Sequence, residues 1–299
     1  MKKTVGIIGL GEMGEGIARK IQKAGFPLVV YDLNPEPIKR MVDLGAAPAK
    51  NLPDILKSCS WIILVLPNTD VVKDVLLGNN GIVSNLGKDH IVIDCGTTHP
   101  IDTKKICLEV EKRKANFLDA PVSGMKARAY SGSLTIMVGG NEFVFNKVIP
   151  VLESFGSKIN YMGESGSGQL MKALNNVLFN ISIAAMSEIL PLSVKLGLSP
   201  EIVSEVVSTA SGQSFGFDKF SELAISRNFQ DGYSMESARK DMDTVLEFAN
   251  VLQTSLPLVN ATMQTYEEAI RKGYGSGNKA SMIKIWEEKL DVLVKSTVN

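Results

Sequence analysis

The chain has 299 residues, of which 44% are hydrophobic, and its 32 Lys and Arg side chains balance its 32 Asp and Glu side chains. This length predicts about two domains with cores of ordinary size, and the zero net charge gives no support for a nucleic-acid or membrane-surface partner. Three cysteines and two histidines show no spacing typical of a disulfide framework or a zinc site. We therefore expect a cytoplasmic, metal-free protein whose partner is a small molecule.

Targeting and membrane segments are not expected. Only four residues precede the first apolar run, so the sequence predicts no signal peptide and no arginine-rich transit segment. The most hydrophobic stretch, 171–189, contains Lys172, Glu188 and three asparagines, Asn175, Asn176 and Asn180. These polar residues argue against a membrane span.

In the first half of the chain, short apolar runs alternate with helical patterns. Such alternation predicts an α/β domain of the Rossmann type, with a mostly parallel sheet covered by helices on both faces. The predicted strands are 5–8, 28–31, 61–66, 91–93 and 117–118, and two further strands, 134–138 and 158–161, extend the sheet around a helix at 141–155. We predict that this domain covers residues 1–162.

The second half of the sequence predicts an all-α domain. A small-residue segment, 163–168, precedes a long linking helix at about 167–196, which Pro191 is expected to kink. The further predicted helices are 200–210, 215–227, 235–253, 257–272 and 279–294. The predicted second domain therefore covers residues 163–299.

A dinucleotide motif, Gly9-Leu10-Gly11-Glu12-Met13-Gly14, follows the first strand and opens a helix. Gly9 would allow the tight turn, Gly11 the close approach of a pyrophosphate, and Gly14 the packing of helix on strand. The spacing alone is a weak signal, but Asp32 ends the second strand about twenty residues later, where an acidic side chain binds the ribose hydroxyls. Asp32 would repel a 2′-phosphate, so NAD is favoured over NADP. The alternative for Asp32 is to cap the helix that starts near Pro35.

Lys172 and Asn176 lie four residues apart in the long apolar helix. At this spacing an ammonium and a carboxamide lie on one helix face, where both can contact one small polar ligand. Taken alone, a lysine near a helix start is usually solvated.

With these motifs in place, the sequence resembles the 3-hydroxyacid dehydrogenase family over nearly its whole length. The resemblance rests on four motifs in the family's order: 6–14 at the glycine turn, 119–124 followed by Gly132 and 137–140, Gly168 with Lys172 and Asn176, and Lys240 with Asp241. It implies a Rossmann-type domain joined by one long helix to an all-α domain, with nicotinamide and substrate held between them. It also implies a homodimer or homotetramer.

The resemblance further implies a role for each matching position. Lys172 matches the catalytic lysine, Asn176 the residue that orients the substrate, and Ser123 with Gly124 the loop that binds the substrate's acid group. On the cofactor side the matching positions are Leu66, Pro67 and Val71 near the adenosine, Thr97 near the nicotinamide, and Lys240, which closes on the cofactor from the second domain. The 123–125 loop could alternatively be a strand-to-strand turn that needs glycine, and Lys240 a plain surface lysine.

One departure from the family concerns the substrate loop. The family usually has Ser-Gly-Gly, whereas this chain has Ser123-Gly124-Met125, followed by Lys126 and Arg128. The Met125 N–H can still donate a hydrogen bond, but its side chain occupies space and disfavours the positive φ that glycine allows. If Arg128 points inward it would hold a second anionic group, such as a carboxylate or sulfonate; the alternative is a solvated loop arginine.

These residues predict an NAD-dependent enzyme that interconverts a small β-hydroxyacid and its semialdehyde by hydride transfer. Neither His90 nor His99 has a supporting context as the proton-transfer group, which leaves Lys172. Desolvation beside a cationic nicotinamide lowers the pKa of a lysine amine, and this would let Lys172 both take and give a proton. Three alternatives remain: reduction of another short anionic semialdehyde (succinic, tartronate or sulfonate-bearing), an imine reductase, against which Lys172 argues, and a protein that binds NAD without turnover.

Overall fold

The computed structural model describes residues 2–230 and 234–296, apart from the side chain of Ser237. The chain divides into two compact units, Met1–Lys172 and Ala173–Asn299. One helix, α8 (Ser167–Lys195), contains the point of division. The predicted division between residues 162 and 163 lies ahead of that helix and stays a prediction.

Within the described part of the first unit, nine strands form one sheet in the order β3-β2-β1-β4-β5-β6-β8-β7, and β9 pairs with β8. The strands are β1 (Val5–Ile8), β2 (Leu28–Tyr31), β3 (Ala47–Pro48), β4 (Trp61–Leu64), β5 (Ile91–Asp94), β6 (Asn116–Asp119), β7 (Val122–Ser123), β8 (Leu134–Gly140) and β9 (Gly156–Gly163). Strands β1 to β6 are parallel, while β6 and β7 both run antiparallel to β8. The carboxyl ends of β1, β2, β4 and β5 therefore meet at one edge of the sheet.

Helices connect these strands. They are α1 (Glu12–Lys23), α2 (Pro35–Asp43), α3 (Leu52–Leu56), α4 (Thr69–Leu77), α5 (Pro100–Glu111), α6 (Met125–Ser131) and α7 (Glu142–Leu152). Asparagine side chains cap four of them, since Asn34, Asn51, Asn68 and Asn141 each accept a hydrogen bond from a backbone N–H in the first turn. Proline supplies the first helical residue of α2 and α5, where its missing N–H costs nothing.

The sheet is buried on both faces because successive side chains of a strand point to opposite sides. Along β4, Ile63 packs into one apolar cluster with Ile7 of β1, while Ile62 and Leu64 pack into the other. All four residues of β1 are buried. This two-sided burial is why the parallel strands read as continuous apolar runs in the sequence.

The second unit contains the rest of α8 and the helices α9 (Pro200–Thr209), α10 (Phe215–Ile225), α11 (Met235–Val251), α12 (Pro257–Arg271) and α13 (Ile283–Leu290). Its core gathers Ala173 and Val177 of α8 with Phe220, Met242 and Tyr266 of three other helices. The predicted helix 279–294 was wrong in its bounds: a 3₁₀ turn, Lys279–Met282, precedes α13. Helix α8 continues through Pro191.

The predicted fold class is confirmed: a Rossmann-type, mostly parallel sheet domain precedes an all-α region. By length and composition alone, α8 is also apolar enough to cross a membrane. Half of its most apolar window is buried inside the protein, however. Core helices of globular proteins show the same combination, so α8 is weak evidence for a membrane segment.

Candidate active site

The glycine turn between β1 and α1 is shaped by the sheet beneath it. Gly9 has φ +97°, and a side chain at this position would clash with the Val65 carbonyl. A side chain at Gly14 would clash with the Gly9 carbonyl. Gly11 differs, because a Cβ at this position would meet no protein atom within 4 Å. Protein packing therefore explains Gly9 and Gly14 but not Gly11, whereas a bound pyrophosphate would need that space beside the start of α1.

The Asp32 carboxylate closes the same turn. Its two oxygens accept hydrogen bonds from the backbone N–H of Leu10 at 2.6 Å and of Asn34 at 2.7 Å. The side chain that caps α2 is Asn34, which accepts from Glu36 N at 3.0 Å, so the alternative capping role for Asp32 was wrong. Asp32 is half-buried at the end of β2, and each oxygen keeps lone pairs for further donors.

Glu15 of α1 was missed by the sequence reading. It is 6% exposed and forms ion pairs with Arg40 at 2.6 Å and Arg19 at 2.7 Å. The hydrogen bond from Arg40 lowers the pKa of Glu15 against the opposing effect of burial. Lys39 and Arg40 are the first two cationic residues after β2 in the sequence, and Glu15 forms an ion pair with Arg40.

The ends of β4 and β5 contribute the next predicted residues. A Cβ at Gly96 would lie 2.9 Å from the Leu66 carbonyl, so the two loops are in contact. Leu66 and Val71 are half-buried and Pro67 is exposed, while Thr97 is half-buried in the loop after β5. The Val71 N–H is used by the Asn68 cap of α4 at 3.0 Å.

The 123–125 loop is not the strand-to-strand turn given as the alternative, because α6 intervenes between β7 and β8. Ser123 ends β7, Gly124 has φ +143°, and Met125 starts α6 with φ +60°. Met125 was expected to disfavour a positive φ, but the loop imposes a positive φ on it. This conformation costs about 1–2 kcal/mol for an L-residue. Arg128 is exposed, and its stem lies over Gly124, where an added Cβ would be 2.6 Å from Arg128 Cδ.

Lys172 is half-buried on α8, and Asn176 follows one turn later. In the second unit, the amide nitrogen of Asn176 donates to the Asp241 carboxylate at 3.0 Å. Asp241 is 6% exposed on α11, whereas its neighbour Lys240 is exposed. The carboxylate of Asp241 therefore fixes the Asn176 carboxamide, which the sequence did not indicate.

A buried polar cluster lies deeper in the second unit and was also missed. Lys279 is 2% exposed, its ammonium donates to Asn180 Oδ1 at 2.6 Å, and it lies 4.4 Å from the Phe179 ring centre. The Tyr266 hydroxyl donates to the same oxygen at 3.4 Å. Burial, and then the charge of Asp241, raise the pKa of Tyr266. Asn180 of this cluster lies one turn after Asn176 on α8, as Asn176 lies one turn after Lys172.

Comparison with known proteins decides the family. Residues 4–163 match the model of the NAD binding domain of 6-phosphogluconate dehydrogenase, and residues 166–286 match that of the NAD-binding region of NADP-dependent 3-hydroxyisobutyrate dehydrogenase. The chain belongs to the 3-hydroxyacid dehydrogenase family. It is therefore an oxidoreductase of the NAD(P)-dependent class that includes 3-hydroxyacid dehydrogenases and semialdehyde reductases.

Several members of the family align over almost the whole chain. The 2-(hydroxymethyl)glutarate dehydrogenase of Eubacterium barkeri is 32% identical over 98% of this chain and 99% of that protein. The 3-sulfolactaldehyde reductase of Escherichia coli is 32% identical over 94% of this chain and 95% of that protein. The crystal structure of 3-hydroxyisobutyrate dehydrogenase from Salmonella typhimurium superimposes with a TM-score of 0.88 at 28% identity, covering 95% of this chain and 100% of that one.

Proposed function

We propose that the chain is an NAD-dependent dehydrogenase that interconverts a small β-hydroxyacid similar to 3-hydroxyisobutyrate and its semialdehyde, with Lys172 as the acid and base. The observation that carries this proposal is the Asn176–Asp241 hydrogen bond, one turn after Lys172 on α8. A carboxylate only accepts hydrogen bonds, so the Asn176 amide nitrogen must face Asp241. The carboxamide oxygen then points away from Asp241 and can help to orient the substrate, while the single proton of the reacting hydroxyl is donated to the neutral amine of Lys172.

The cofactor end supports NAD. The space over Gly11 suits a pyrophosphate, and the Asp32 carboxylate suits ribose hydroxyls but would repel a 2′-phosphate. Arg40, which could otherwise offset that repulsion, is engaged by Glu15. When bound, the nicotinamide accepts or supplies the hydride. Among the residues of this chain, Glu12, Met13, Leu66, Pro67, Val71, Thr97 and Lys240 are proposed to line it.

The acid group of the substrate would bind at the loop that joins β7 to α6. The Ser123 hydroxyl and the backbone N–H groups of Gly124 and Met125 offer donors there. Arg128 favours a second candidate substrate class, because the stem of this exposed arginine, up to Cδ, lies over Gly124 in this loop. A semialdehyde with a second carboxylate or a sulfonate would then be accepted, as the names of two relatives suggest for those proteins.

The test is steady-state turnover with NAD and NADP across a panel of 3-hydroxyisobutyrate, glycerate, 4-hydroxybutyrate, hydroxy-dicarboxylates and sulfonates. Lys172→Ala should lower kcat by about 10²- to 10⁴-fold and leave the Kd for NAD nearly unchanged. Lys195→Ala, in the last turn of the same helix, is the matched control and should retain activity. Near-normal turnover in Lys172→Ala would remove the proposed role, and NAD binding without turnover on any substrate would favour a non-catalytic protein.

The same panel separates the two substrate classes. If Arg128 binds a second anion, Arg128→Ala lowers kcat/KM for the dicarboxylates and sulfonates by about tenfold or more and leaves that for 3-hydroxyisobutyrate within about twofold. Lys126→Ala, an exposed neighbour that lies 3.8 Å from Glu12, is the control. An equal loss on all substrates would assign Arg128 a purely structural role.

We also propose that the chain forms a homodimer or homotetramer. Apolar side chains of α8 are exposed at Leu174 (43%), Leu178 (69%), Ile189 (51%) and Leu192 (41%), and the exposed Leu196 (72%) directly follows the helix. Exposed apolar groups recurring along one helix are typical of a surface covered by another subunit. Light scattering after gel filtration should give a multiple of 32.4 kDa, and Leu178→Glu should shift it towards the monomer.

A further inference from the structure

Gln169 lies in the first turn of α8, three residues before Lys172, and is 1% exposed. A side chain three residues away on a helix lies one turn away. Any contact that fixes Gln169 therefore also fixes the backbone that carries Lys172. The contacts of Gln169 with Asp94, Gly96, Thr98 and Asp119 all lie within the first unit.

The backbone of Gln169 is anchored to the end of β6. The Asp119 carboxylate accepts hydrogen bonds from Gly166 N at 2.8 Å and from Gln169 N at 2.9 Å. An anion at a helix N-terminus satisfies free N–H groups and stabilises the helix dipole. The fit is tight, because an added Cβ at Gly139 would lie 2.7 Å from an Asp119 oxygen, and one at Gly168 would lie 2.9 Å from the other.

The side chain of Gln169 binds a different loop, the one after β5. Its Oε1 accepts from Thr98 N at 3.0 Å, and its Nε2 donates to the Gly96 carbonyl at 3.0 Å. These two backbone groups flank Thr97. A weaker contact joins Nε2 to Asp94 Oδ2 at 3.5 Å, and that oxygen also accepts from the Thr98 hydroxyl at 2.6 Å.

We propose that Gln169 is a positioning residue that sets the place of Lys172 relative to the loop carrying Thr97. The inference rests on the proposed role of Lys172. One carboxamide joins the start of the helix to both sides of Thr97, because its amide group supplies a donor and an acceptor together. Proton and hydride transfer depend steeply on placement, and an error of about 1 Å costs roughly 10²-fold in rate.

Glutamate at this position gives a readout that a purely structural role would not. As a carboxylate it would place negative charge against the Gly96 carbonyl and near the Asp94 and Asp119 carboxylates, the titratable groups that contact Gln169. When protonated, its hydroxyl can replace the lost donor to Gly96. The defect of Gln169→Glu should therefore diminish as the pH falls. Methionine, which has similar volume and no titratable group, should show a defect that does not depend on pH in this way.

The experiment compares the wild-type enzyme with Gln169→Glu, Gln169→Met and Gln22→Glu across the pH range. Gln22 is the matched control because its Nε2 also donates to a backbone carbonyl, that of Leu44, on an exposed part of the unit. We expect kcat to fall by about 10- to 100-fold in both Gln169 variants at neutral pH, with KM for NAD within about twofold. Only Gln169→Glu should recover in acid, and Gln22→Glu should behave as wild type.

Wild-type kcat in both Gln169 variants would overturn the inference. So would losses of equal size at every pH that follow a fall in Tm, since that pattern indicates a structural role alone. Should Gln169→Glu fail to fold, normal kcat in Gln169→Met would be sufficient to reject the inference. Lys172→Ala distinguishes failure of the proposed function from failure of the positioning role. If Lys172→Ala abolishes turnover while the Gln169 variants have normal kcat, the proposed function is supported and the positioning role is rejected.

Discussion

The amide nitrogen of Asn176 donates a 3.0 Å hydrogen bond to the buried carboxylate of Asp241. This bond joins α8 to α11 within the second unit and fixes which end of the carboxamide is available to a ligand. A hydrogen bond to a charged group contributes about 1.5–3 kcal/mol. Since burial removes competing water, the orientation of Asn176 depends on the negative charge of Asp241.

Replacing Asp241 by asparagine should therefore lower kcat by about tenfold, equivalent to about 1.4 kcal/mol. The new carboxamide would keep an acceptor but lose the charge, and it could present its own NH₂ group to Asn176. Asp243→Asn, two residues on and exposed, is the control and should have little effect. A double-mutant cycle with Asn176→Ala checks the mechanism, because the two losses should not be additive. Additive losses would mean that Asp241 acts independently of Asn176.

Met125 tests the departure from the family's Ser-Gly-Gly loop. Its φ of +60° costs about 1–2 kcal/mol in an L-residue, whereas glycine loses about 0.5–1 kcal/mol of backbone entropy. Met125→Gly should therefore be neutral or stabilising by up to about 1.5 kcal/mol. Met171→Gly, inside α8, should instead destabilise by about 1 kcal/mol. The free energies of unfolding of both variants can be measured by urea denaturation. Equal destabilisation of the two would show that the loop does not strain Met125.

The sequence predicted the strands well where long apolar runs end in clear turns. The ranges 5–8 and 28–31 match β1 and β2 at both ends, and the α/β order followed from their alternation. Strand β7 and helix α6 were missed because two and seven residues are too short to show a period. Tertiary pairing decides such elements, here the antiparallel register of β7 on β8.

The supporting contacts of the candidate site could not be predicted because their partners are far apart in the chain. Gln169 binds Thr98 across 71 residues, and Lys279 binds Asn180 across 99. Lysine is usually exposed, so residue type alone does not indicate that Lys279 is buried. A signal did exist for Asp94 and Asp119: each ends a buried strand, where a carboxylate has few donors other than nearby backbone N–H groups.

Burial raises the pKa of Asp94 to about 6 from an ordinary value of 3.8, against the hydrogen bonds from Thr98 and Gly96. Burial also raises the pKa of Asp119, and its bonds to Gly166 and Gln169 oppose that effect. A carboxyl with a raised folded-state pKa binds its proton more tightly in the folded protein than in the unfolded chain. It therefore favours folding at low pH, and this contribution is lost as the pH rises through the folded-state pKa.

For Asp94 the window runs from about pH 4 to about pH 6, and the raised pKa corresponds to about 3 kcal/mol of stability lost across that window. Asp94→Asn removes this titration, so its unfolding free energy relative to wild type should rise by about 3 kcal/mol between pH 4 and pH 7. Glu15 acts in the opposite direction, because its lowered pKa gives stability that is lost in acid, but it is common to both proteins and cancels in the difference. If the difference for Asp94→Asn does not change with pH, Asp94 is ionised in the folded protein as readily as in the unfolded chain, and the hydrogen bonds of Thr98 and Gly96 balance the effect of its burial.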